Sequence, residues 1–154
     1  MEDQMIGTLQ RLHTICKVGA EGYSDAVAAI NDDAGWDILR LRAFAARRRE
    51  HSTALANMLV AMDGDLIVRP GIDLAAELHQ IWMQARAAVA GGDRVAVFDE
   101  ILRGEHYAVD AFEDALAQPM PREVRRRLTR QHEEIELALE DVTAMRDREL
   151  RTAR

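Results

Sequence analysis

The chain has 154 residues, of which 48% are apolar, 31% charged and only 5% aromatic, with a formal net charge of −7. These values fit one ordinary globular domain over 1–154. They speak against a general nucleic-acid or anionic-membrane surface and leave too few aromatics for a β-sandwich or a base-stacking face. The only cysteine, Cys16, rules out an internal disulfide and a cysteine-rich zinc site. The acidic start, Met1-Glu2-Asp3-Gln4, is unlike a signal peptide. No apolar run approaches the ~18 residues of a membrane span. The expected compartment is the cytoplasm.

Alanine, leucine, arginine and glutamate dominate, with three prolines and nine glycines, a balance that favours helix. The spacing predicts a first helix over about Asp3 to Ile30, with Met5, Leu9, Leu12, Cys16, Gly19/Ala20, Tyr23, Val27 and Ile30 on one stripe. Gly19 and Gly22 weaken it by about 1 kcal/mol each relative to alanine and would permit close helix approach. Asn31-Asp32-Asp33 ends it and caps a second helix over Ala34 to Met62. There the stripe is Ile38, Leu41, Ala45, Ser52, Leu55, Leu59 and Met62, and the position missing from it is Arg48.

The segment from Asp63 to Gly71 reads as a loop. A shorter third helix, Ile72 to Val89, carries Leu74, Leu78, Ile81, Trp82 and Val89, and Ala90-Gly91-Gly92-Asp93 stops it. A fourth helix follows to near Gln118, with Val95, Phe98, Leu102, Val109, Phe112 and Leu116 inward. Its stripe is interrupted by Glu105. After Pro119-Met120-Pro121, with Pro121 in the first turn, a fifth helix runs to near the C-terminus. Val124, Leu128, Ile135, Ala138, Val142 and Met145 form its stripe, broken by Gln131. Four long helices, tight turns between the first and last pairs, and a crossing segment in the middle give an all-α, ferritin-like four-helix bundle with an extra short helix in the crossover.

A carboxylate in a core stripe must be neutralised, paired or metal-bound, because a bare buried charge costs several kcal/mol or more, roughly. Bundles of this type often hold two metal ions with Glu-x-x-His from two helices and a lone Glu from each of the others. Glu21, Glu105 and the segment 131–136 fall at one depth, so Glu21, Glu105, His132 and Glu136 are the metal candidates, for iron or manganese. No helix, however, offers Glu-x-x-His, and Arg48 stands where a further ligand would enter. The alternatives are a salt-bridged polar layer of Arg48, Glu105, Gln131 and Tyr23, with Arg48 reaching Glu105 through two parallel hydrogen bonds, or an Arg48 turned outward. The runs Arg47–Arg49 and Arg125–Arg127 read as solvated faces. His79 and Trp82 share a face, with Trp82 as packing. His13, His51, His106 and His132 read as surface or layer-edge residues. Met58, Met62, Met83, Met120 and Met145 read as core filler, and Cys16 as a small buried hydrophobe.

Glu21-Gly22-Tyr23, Leu78-His79 with Trp82-Met83, Arg103-Gly104-Glu105 and Gln131-x-x-x-Ile135, in this order and spacing over nearly the whole chain, resemble a bacterial family of ferritin-like four-helix-bundle proteins, domain-of-unknown-function family 2383. The resemblance implies the bundle and brings no activity, substrate or cofactor. Family members tend to carry an acidic residue where this chain has His106, and a histidine where it has Leu139. The second departure argues against a metal in this layer. The expected role is a non-enzymatic structural or interaction module without a cofactor, stress-related by analogy of fold only. The alternative is a metal-carboxylate protein for redox chemistry or storage. Trp82, Met83 and Ile81, only partly accommodated on the third helix, would form an apolar patch that favours a homodimer.

Overall fold

The chain is described by a computed structural model covering residues 2–29, 38–62, 64 and 72–152. The described residues form five helices, α1 (Glu2–Ala29), α2 (Ile38–Ala61), α3 (Ile72–Ala90), α4 (Arg94–Leu116) and α5 (Arg122–Thr152). Among the described residues there is no strand. The expected cap at Asn31–Asp33 and the expected start of the second helix at Ala34 lie outside the described residues. The visible boundaries follow local chemistry. Asp93 caps α4 by accepting from the Ala96 backbone N–H at 3.1 Å. The preceding turn closes α3 with Gly92 at φ 74°, a left-handed conformation that costs glycine little. α4 stops at Leu116, two residues before the expected end. Arg125, from the first turn of α5, donates to the carbonyls of Leu116 and Gln118 at 2.7 and 2.8 Å and so satisfies groups that the ended helix leaves without partners.

Cross-contacts set the helix directions. Arg48 and Arg49 of α2 meet Gly19 and Ser24 of α1, whereas Gly64, just past α2, meets Ile6. α1 and α2 are therefore antiparallel. Arg94 with Glu149, Asp99 with Arg146, and Glu113 with His132 make α4 and α5 antiparallel in the same way. His51, next to Gln131 and Glu134, extends the relation to α2 and α5. Thr8 bonds Gln118 at 2.9 Å, near one end of both α1 and α4. α3 packs against α1 and α4.

The core runs through all five helices and includes Leu9, Leu12, Cys16, Tyr23, Leu55, Leu59, Trp82, Ile101, Phe112, Leu128 and Ile135. On α4 the buried face is broader than the expected stripe and shifted from it. Val97, Ile101 and Ala108 are fully buried, while Val95 and Val109 are only half-buried. The cause is that α4 has α1, α3 and α5 around it, so it must bury more than the single face a surface helix turns inward. Trp82 is 6% exposed, and so adds nothing to an apolar surface patch; Met83 is exposed where core filler was expected, and Ile81 is half-buried. His79 is exposed and lines one small surface pocket together with Trp82.

A charged layer between the helices

The two polar breaks of opposite charge meet. Arg48 and Glu105 are both buried, at 3% and 0% exposure. One guanidinium nitrogen, Nη2, donates to both Glu105 carboxylate oxygens at 2.7 Å. This differs from the expected two parallel bonds, in which two nitrogens would each meet one oxygen. Nη1 is turned instead toward α1, where a Cβ on Gly19 would stand 2.9 Å from it. Gly19 therefore makes room for the guanidinium; it is not a point of helix–helix closure. Burial works against the Arg48 charge, and the adjoining Glu105 carboxylate outweighs it, lifting the guanidinium above its ordinary value.

Tyr23 and Cys16 bring α1 into the same layer. The Tyr23 hydroxyl is buried with no hydrogen-bond partner at normal geometry and is raised well above its usual range, by burial first and then by the Glu105 charge. Its ring packs against Trp82 at 4.8 Å and Phe44 at 5.9 Å, both tilted. Burial raises the Cys16 thiol to about 12, with Arg48 opposing and Glu105 adding to the effect. Such a thiol is a core group and is not poised as a nucleophile.

Trp82 sits where two glycines clear a path. A Cβ on Gly22 would fall inside the indole, 2.1 Å from Cδ2, and one on Gly104 would be 3.2 Å from Cζ2. Gly22 and Gly104 thus form a socket, from α1 and α4, for a side chain carried by α3. This explains two of the sequence elements together: Glu21-Gly22-Tyr23 and Arg103-Gly104-Glu105 each place a socket glycine beside a member of the polar layer.

α5 closes the layer through a second set of contacts. Gln131 is buried, and its Nε2 donates to the His51 carbonyl at 3.4 Å, while its Oε1 has no hydrogen-bond partner. His51 is 5% exposed, not a surface or layer-edge residue, and its Nε2 lies 2.7 Å from Glu134 Oε2. Burial lowers His51, and its bond to Glu134 only partly opposes this. Glu134 ends below its ordinary value because His51 and Arg47 outweigh its own partial burial. His13 is likewise buried and lowered, by burial and then by Lys17. Neither burial was visible in the sequence, since a lone histidine beside an apolar stripe gives no sign of which way it faces. Of the Arg47–Arg49 run, Arg48 is buried while Arg47 and Arg49 are exposed.

The metal candidates do not form a cradle. Glu105 is engaged by Arg48, and Glu21 is exposed. His132, half-buried on α5, has its Nδ1 3.0 Å from Glu136 of the same helix. Among the described residues no three His, Cys, Asp or Glu side chains converge so as to hold a metal ion.

The family model described as Domain of unknown function (DUF2383) matches residues 4–118, and the chain belongs to that family. The match spans α1 to α4 and with them the Arg48–Glu105 pair and the Trp82 socket. It ends before α5, so the Gln131-x-x-x-Ile135 element lies outside it. No protein of curated function matches the chain.

Proposed function

We propose that this protein is a ferritin-like bundle in which an ion-paired layer takes the place of a metal centre, and that it acts as a non-enzymatic, self-associating interaction module. The observation that carries the reading is Arg48 Nη2 seated 2.7 Å from both oxygens of Glu105, the most buried carboxylate of the core. A guanidinium is no ligand, and its charge repels a cation at this fully inward carboxylate. The antiparallel pairs α1–α2 and α4–α5, linked across by Arg48–Glu105 and His51–Glu134, support the ferritin-like arrangement, with α3 packed against both α1 and α4.

The test is elemental analysis of protein produced with added iron and manganese and then dialysed against a chelator. The expected result is far less than one metal per chain and an unchanged helical spectrum. Stoichiometric iron or manganese that is retained by the wild type and lost in Glu105→Ala would overturn the reading.

A further inference from the structure

α2 and α5 meet at the His51 level and leave a groove of about 270 Å³ further along, lined in part by Ala43, Phe44, Arg47, Leu137, Ala138 and Asp141. Two ridges border it. Leu39, Ala43 and Arg47 recur every four residues on α2, and Glu134, Leu137 and Asp141 at three and four residues on α5. Each ridge holds a leucine in water, Leu39 at 78% and Leu137 at 57% exposure. The ridges belong to segments of opposite charge. From Arg40 to Arg49, α2 has five arginines and no acid, and from Glu133 to Asp141, α5 has five acids and no base.

We propose that a second copy of this chain docks on the α2–α5 groove, about a two-fold axis parallel to the helices, so that α2 of each copy lies on α5 of the other. The inference rests on the self-association in the proposed function and names its surface. Charge selects the axis. A two-fold axis across the helices would lay the arginine-rich segment on itself, whereas the parallel axis lays it on the acidic segment of the second copy. Since α2 and α5 run antiparallel, with His51 beside Glu134 and with Ala43 and Asp141 on the same groove, the parallel axis also keeps levels matched. Leu137 of one copy then lies along the Arg47 side chain of the other, and Arg47 stands between Glu134 and Asp141. The small side chains of Ala43 and Ala138 allow the helices to approach. The ridges are half apolar and half charged, as expected of a surface that is soluble when free and buried when paired.

The experiment is sedimentation velocity of the full chain up to roughly 100 μM, with Leu137→Glu, Arg47→Glu and Asp141→Arg, each checked for an unchanged helical spectrum. The wild type is expected to dimerise and each variant to weaken the dimer by about tenfold or more. Arg47→Glu mixed with Asp141→Arg is expected to regain association, because the two contacts between positions 47 and 141 are attractive in the mixed pair and repulsive in each variant alone. A wild type that stays monomeric overturns both the surface and the self-association it rests on. A dimer that is indifferent to all three substitutions and shows no recovery on mixing overturns the surface alone.

Discussion

Removing one member of the Arg48–Glu105 pair should cost this protein a large share of its stability. Both side chains are buried and two 2.7 Å contacts link them, so either truncation strands a charge in a core. Breaking such a pair costs about 3–5 kcal/mol, against a total of about 5–15 kcal/mol for an ordinary domain. At ~2–4 °C per kcal/mol for a domain of this size, Tm should fall by about 6–20 °C. Glu105→Ala should be the worse of the two. A stranded carboxylate can be neutralised by a proton, whereas a stranded guanidinium keeps its charge. Replacing both residues together, as Arg48→Met with Glu105→Leu, removes the charges and keeps most of the volume, and should cost much less than the sum of the single changes. Urea melts followed by circular dichroism supply the full cycle, with an unchanged m-value as the check on two-state behaviour. Single variants within ~0.5 kcal/mol of wild type, the range of surface sites, would refute the pairing of these residues as the centre of the core.

The other expectations concern the residues around that pair. Gly22→Ala should destabilise by about 1–3 kcal/mol, because overpacking against the Trp82 ring outweighs the usual gain of alanine over glycine in a helix; tryptophan fluorescence should shift with it. Gly7→Ala is the control, since a Cβ there meets nothing within 4 Å, and it should stabilise by about 0.5–1 kcal/mol in thermal melts. His51 is held below its ordinary 6.5 by burial, so the unfolded chain binds more protons than the folded one as pH falls from 6.5. Stability should be fully present above that pH and decline below it. His51→Gln should flatten the decline measured in pH-dependent melts, leaving the share from His13, which has the same sign. Cys16, buried and raised to about 12, should resist a thiol-specific reagent in the native protein and react on denaturation.

Much of the helical plan is legible from residue order alone, because each helix carries its own periodic stripe and its own stop signals. Asp93 before α4 and Gly92 after α3 do locally what their side chains, or the lack of one, require. The polar breaks at Arg48, Glu105 and Gln131 are visible for the same reason: a single charged or amide residue in an apolar series is an event along one helix. Tertiary structure decides what sits opposite each position. Gly19 and Gly22 look like points of helix–helix closure, yet one leaves space for a guanidinium from α2 and the other for an indole from α3. Arg125 looks like one of a solvated run, yet it satisfies the carbonyls that end α4. His51 becomes a buried link because α5 brings Glu134 and Gln131 against it from eighty or more residues away in the chain. Periodicity records which face of a helix avoids water. Only the packed helices determine which atom fills the space a glycine leaves, which carboxylate meets a given nitrogen, and where two helices fail to close and leave a groove.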